Sequence, residues 1–207
     1  MIATELSHLH RFMPAASPGA PPVLLLHGTG GDENDLLSFG RMIAPGAALL
    51  SPRGKVLEGG MPRFFRRLAE GVFDQADVRR RAHELADFIV EAREAYGLAA
   101  PVAVGFSNGA NIAAALLQLR PEALAGAALL RAMLTLAEPP AADLAGKPVL
   151  ILSGAMDAIV PTDNAARLAA ALRDAGAAVD HRTLPSGHGL SQADVTVTKD
   201  WLAARAP

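Results

Sequence analysis

The chain has 207 residues, 51% of them hydrophobic and 19% charged, with a formal net charge of −2 and no cysteine. That length suits one substantial core, so residues 1–207 are expected to form a single domain, and the composition excludes a disordered chain. The charge balance leaves no basic footprint for nucleic acid, and the lack of thiols rules out disulfides, thiolate metal sites and a cysteine nucleophile.

The stretch from Met1 to Gly19 carries Glu5, His8, His10 and Arg11 where a secretory signal would need its apolar segment. The longest apolar run, Ala123 to Ala137, is broken by Arg131 and is too short to span a bilayer. A cytoplasmic chain without membrane insertion is the expectation.

In chain order, Thr4 to Ala15 reads as an edge strand, ended by the connector Ser17 to Pro22. Val23 to Leu26 is a continuous apolar run of the kind that forms a strand buried on both faces, and it runs into the glycine-rich loop His27 to Asn34. A helix is expected from Asp35 to Ala44 and a strand from Ala47 to Ser51. The segment Lys55 to Phe73 shows no period, and a loop of that length is more often functional than idle.

From Asp74 the pattern is helical, with Val78, Ala82, Leu85, Ala86, Ile89 and Val90 on one face, Asp74 as the N-cap and Gly97 as the stop. Pro101 to Val104 is the next strand, followed by a helix that ends near Arg120. Strands follow at Leu124 to Leu130 and Pro148 to Gly154. Pro161 then opens a helix running to Leu172, Ala178 to Leu184 is a strand, and Ser191 to Ala206 is a final helix. Strands alternating with long helices give an α/β class: a mainly parallel sheet with helices on both faces.

Between strand and helix stands Gly105-Phe106-Ser107-Asn108-Gly109, the G-x-S-x-G pattern of a nucleophile elbow. The turn holds its serine in a strained geometry, and the glycines let strand and helix approach closely. The pentapeptide alone is insufficient evidence, so the test is whether partners lie beyond other strand ends, where ligands of parallel sheets sit. Asp157 lies just past the strand ending at Leu152, and His188 follows the strand ending near Leu184.

The order Ser107, Asp157, His188 is the one such hydrolases use: the histidine deprotonates the serine, and the carboxylate fixes the imidazole. His181, the other histidine after Asp157, sits mid-strand, and Asp163 is explained as a first-turn helix carboxylate. For the oxyanion hole, Asn108 supplies one backbone donor; Thr29 or Gly30 supplies the second, and spacing does not separate them. His27 is expected to hold that loop by local hydrogen bonds rather than to bind a metal, and no metal site is expected.

HGTGGDENDLL, PRGKVLEGGMPRFFRRLAEGVFD, GFSNGANIA, SGAMDAIVP and SGHGLSQAD, in that order, resemble the α/β-hydrolase superfamily and, within it, the phospholipase/carboxylesterase family of small bacterial carboxylesterases and acyl-protein thioesterases. The resemblance covers nearly the whole chain and is strongest to short bacterial hydrolases associated with hydroquinone-type compounds. The loop departs from the thioesterase pattern, reading HGTGG where those enzymes more usually have HGLGD. The resemblance implies a cofactor-free serine hydrolase with Ser107 as nucleophile, His188 as base, Asp157 as acid, and Thr29 and Asn108 at the oxyanion hole.

Thr135 to Gly146 is too short for a large cap domain, so an open site for small esters is expected, with Phe64, Phe65, Phe73, Arg66, Met156 and Leu190 as candidate wall residues and one of Arg63, Arg66 or Arg67 facing the pocket. The expected partner is a small-molecule ester, and a homodimer is compatible with the chain. The rival readings are a ligand-binding protein without turnover, or a thioesterase or acyltransferase using the same triad.

Overall fold

The computed structural model describes residues 6–16 and 19–205. Thr4, Glu5, Ser17, Pro18 and Ala206, which the readings above include, lie outside the described residues. The strands are β1 (His10–Met13), β2 (Val23–Leu26), β3 (Leu49–Pro52), β4 (Val56–Glu58), β5 (Met61–Arg63), β6 (Arg67–Ala69), β7 (Val72–Phe73), β8 (Val102–Phe106), β9 (Gly126–Leu130), β10 (Pro148–Gly154) and β11 (Ala178–Leu184). The helices are α1 (Leu37–Ile43), α2 (Gln75–Tyr96), α3 (Asn108–Leu119), α4 (Thr162–Asp174) and α5 (Gln192–Ala203).

Seven strands make one sheet in the order β1-β3-β2-β8-β9-β10-β11, and every neighbouring pair is parallel except β1 with β3. The apolar strand runs are continuous because both faces are covered. Leu24, Leu26, Ala103, Ala127, Leu129, Val149 and Ile151 pack in one cluster with α2, α3 and α4. The alternate residues Val23, Leu25, Val102, Val104, Ala128, Leu130, Leu150 and Leu152 pack in the other with α1 and α5. This period-two division, buried on each side, accounts for a mainly parallel sheet with helices on both faces. Between β9 and β10 no helix or strand intervenes, so no cap domain covers the sheet edge there.

Asp74 caps α2 by accepting from the Asp77 N–H (3.1 Å), and Gly97 ends the helix at φ 65°, as the sequence predicts. The aperiodic stretch after β3 is not a plain loop: it folds into two short antiparallel hairpins, β4–β5 and β6–β7. Strands of two or three residues cannot register an alternating pattern. Gly59 and Gly60, at φ 56° and 84°, make the tight turn between β4 and β5, where positive φ at both positions favours glycine.

At the antiparallel edge, His8 is buried against the Phe88 ring, with centroids 4.8 Å apart. Burial, with Lys55, Arg81 and His10 adding repulsion, lowers its pKa to about 3. The unfolded chain therefore binds a proton below about pH 6.5 that the folded chain refuses until about pH 3. Stability from this site is complete above the unfolded value and falls as the pH drops through that window, by up to about 1.4 kcal/mol per pH unit. Thermal melts at pH 7 and pH 5 should show a smaller acid loss in His8→Gln than in the parent; equal losses would rule this source out.

Candidate active site

Ser107 sits at the turn from β8 into α3 with φ 51° and ψ −113°, a positive φ that a side-chain-bearing residue rarely adopts. Both sides of the elbow are held: the Ser107 N–H donates to the Leu130 carbonyl of β9 (2.8 Å), and its carbonyl accepts from the Asn111 N–H (2.9 Å). A Cβ on Gly105 would lie 2.5 Å from the Gly109 carbonyl oxygen, and one on Gly109 would lie 2.0 Å from the Leu26 carbonyl oxygen. Only glycine fits at either position, which is the steric content of the pentapeptide.

Ser107 Oγ lies 3.0 Å from His188 Nε2, and His188 Nδ1 lies 2.9 and 3.1 Å from the two oxygens of Asp157. With the proton on Nδ1, the imidazole donates to Asp157 and accepts from Ser107. The three residues come from the ends of β8, β10 and β11, which the parallel sheet brings to one edge. Neither His181 nor Asp163 joins them; His181 pairs with Ser153 at 2.9 Å.

The Asp157 side chain is 1% exposed and that of His188 22%. Burial pushes the Asp157 carboxyl upward, yet the Val160 and Ile159 N–H groups (3.0 and 2.8 Å) and His188 outweigh it and hold the group below the ordinary carboxylate range. An ionised carboxylate so held favours the Nδ1–H tautomer and stabilises an imidazolium.

The loop after β2 brings Thr29 to the same edge. The Gly30 N–H is engaged by the Pro62 carbonyl (2.9 Å), whereas the N–H groups of Thr29 and Asn108 have no partner among the described residues. The Gly30 N–H is thus occupied and the Thr29 N–H is not. His27 holds the loop from beneath, with Nδ1 donating to the Gly28 carbonyl (2.7 Å) and Nε2 accepting from the Gly54 N–H (3.0 Å). Burial lowers its pKa, which keeps Nε2 free to accept.

Of the candidate wall residues, Phe64 and Phe65 require correction. Both are buried in the core, Phe64 against His27 (4.6 Å between centroids) and Phe65 edge-on to Phe73 (5.3 Å). Phe64 serves the site through its backbone, donating to Asn108 Oδ1 (2.7 Å). Arg66 points to solvent and pairs with Asp74, and Arg67 pairs with Glu58 (2.8 Å). The buried Arg63 instead donates to Thr29 Oγ1 (2.7 Å) and so holds the loop after β2. Leu190 packs into the cluster on the α5 side. Met156 is exposed beside the base loop, where its N–H donates to the Ser186 carbonyl (3.0 Å).

Residues 10–205 match the family model described as phospholipase/carboxylesterase. The chain belongs to this family. It is 47% identical to the Bacillus subtilis (strain 168) protein MhqD over 181 residues, 86% of this chain and 90% of that one. Among solved structures, a Bacillus cereus carboxylesterase superposes with a TM-score of 0.93 at 42% identity, covering 96% of this chain and 94% of its own. A carboxylesterase from Mesorhizobium loti superposes at 0.92 with 36% identity, covering 97% and 96%. This member of the phospholipase/carboxylesterase family is thus a hydrolase of the carboxylesterase type with the α/β-hydrolase fold.

Proposed function

We propose that the chain hydrolyses small apolar carboxylic esters through an acyl-enzyme on Ser107. The observation that carries the reading is the hydrogen-bonded line from Ser107 Oγ through His188 to Asp157, with two unengaged backbone N–H groups at the same edge. Ser107 Oγ attacks the ester carbonyl as His188 Nε2 takes its proton, and the oxyanion is received by the Thr29 and Asn108 N–H groups. His188 returns the proton to the departing alkoxide, then activates a water that releases the acid and restores Ser107.

The preference for apolar esters rests on the surroundings. Met61, beside Gly30, and Met156 and Ile159, in the loop that carries Asp157, are exposed apolar side chains, and no helix or strand intervenes between β9 and β10. A fluorophosphonate probe should add one phosphonyl group to the peptide containing Ser107, and a panel of p-nitrophenyl esters should show turnover that falls when the acyl group carries a charge. A chain that neither labels nor turns over any ester would instead be a ligand-binding member of the fold.

A further inference from the structure

Arg131 follows β9 immediately, on the strand beside the elbow, and adopts φ 58° although it is not glycine. Its side chain and that of Asp194, in the first turn of α5, are both 0% exposed. They form a two-pronged ion pair, Nη1 to Oδ1 at 2.8 Å and Nη2 to Oδ2 at 2.9 Å. Most of the guanidinium's further hydrogen bonds go to the loop that carries His188. Nε donates to the Gly187 carbonyl (3.0 Å), and Nη2 donates to Ser186 Oγ (3.0 Å) and the Gly189 carbonyl (3.3 Å). Nη1 also reaches the Leu152 carbonyl of β10 (3.3 Å).

The residues immediately before and after His188 are therefore gripped by one planar cation. Both are glycines, which cost the most conformational entropy to order and offer no side chain to pack. A fully buried ion pair is by itself a poor stabiliser, because desolvating both charges offsets their attraction. A fork of fixed geometry, by contrast, suits a loop whose histidine must stay within hydrogen-bond reach of two groups on other strands. Asp194 orients the fork and also accepts from the Ser191 N–H (2.8 Å) and Oγ (2.7 Å), tying the far end of the loop to α5.

We propose that Arg131 and Asp194 are positioning residues, a buried clamp that holds the His188 loop in register with Ser107 and Asp157. The proposal rests on the serine-hydrolase reading above for its kinetic consequence, but not for its structural one.

The decisive variant is the double replacement Arg131→Met with Asp194→Leu, which removes both charges together and avoids stranding either in the core. With a p-nitrophenyl ester, kcat should fall about 100-fold with KM changed by less than about threefold, the pattern of a misplaced base rather than lost binding. The downfield proton resonance of His188 Nδ1–H, read without substrate, should broaden or vanish. A double variant that keeps the parent's circular dichroism, a kcat within about threefold of the parent and that resonance would overturn the clamp.

If the double variant does not fold, Arg131→Lys and Ser186→Ala decide. Lysine keeps the charge but loses the fork, so it should lose kcat and the resonance more than Ser186→Ala does, and equal, parent-like values in both would overturn the clamp. A parent that shows the resonance but no ester turnover would refute the esterase reading while leaving the clamp to be judged on the resonance.

Discussion

Ser107→Ala is expected to lower kcat for a p-nitrophenyl ester by about 10⁴-fold or more, and His188→Ala on the same background to cost almost nothing further. The reason lies in the shared hydrogen bond. Ser107 Oγ and His188 Nε2 are 3.0 Å apart, and in the proposed mechanism each acts only through the other, so removing either would remove the whole proton-transfer step. A residual acceleration of about 10³-fold over water is expected in both variants, because the Thr29 and Asn108 N–H groups stay in place. KM should change little, since the serine hydroxyl contributes to the transition state rather than to ground-state binding. Steady-state kinetics of the two single variants and the double variant measure this directly. Additive losses, or a Ser107→Ala enzyme retaining more than about a tenth of its rate, would show that another group is the nucleophile.

The parts of this molecule that were legible in the sequence share one property: their physics is local. Continuous apolar runs announced strands covered on both faces, and the strand ends then selected Asp157 and His188 over Asp163 and His181. Asp74 and Gly97 were readable as helix ends because a cap and a positive φ depend on few neighbours. What escaped depends on distant chain segments meeting. Phe64 and Phe65 look the same in sequence whether they wall a pocket or fill a core, and only the packing of α2 and α3 beneath them decides. Arg63, Arg66 and Arg67 look alike in sequence as candidates to face the pocket, and only the meeting of Arg63 with Thr29, 34 positions away, shows Arg63 to be a buried support for the loop after β2.

Arg131 and Asp194 are 63 positions apart, so no spacing rule could pair them. One signal was available: a lone arginine interrupting an otherwise apolar run, directly after a strand on the functional edge, calls for a buried partner. The same edge explains why the hydrogen-bonded line needs so few residues. β10 and β11 end level with each other, and β8 ends two residues short of them, level with Leu152, so the three side chains meet through short loops, and those loops are fixed by backbone acceptors and by glycines that allow close approach.

The second large effect is on folding, and its sign distinguishes packing from propensity. Gly109 lies in the first turn of α3, where replacing glycine by alanine would ordinarily stabilise a helix by about 1 kcal/mol. Here the added methyl would lie 2.0 Å from the Leu26 carbonyl oxygen, 2.4 Å from the carbonyl carbon and 2.6 Å from the His27 carbonyl oxygen. These are backbone atoms of β2 and the start of the oxyanion loop, so no rotamer change relieves the contact. Relief requires α3 to lift from the sheet, and this helix is buried along almost its whole length, packed on β8 and against α2. Gly109→Ala should therefore lose about 3 kcal/mol or more, a drop in Tm of about 6–12 °C for a chain of this size, and with it the register of Ser107. Gly189→Ala is the control for stability, because a Cβ there meets nothing within 4 Å. Calorimetry of the two variants decides the matter: a Gly109→Ala protein as stable as the parent would mean that α3 does not rest on β2 at the distance that makes the elbow.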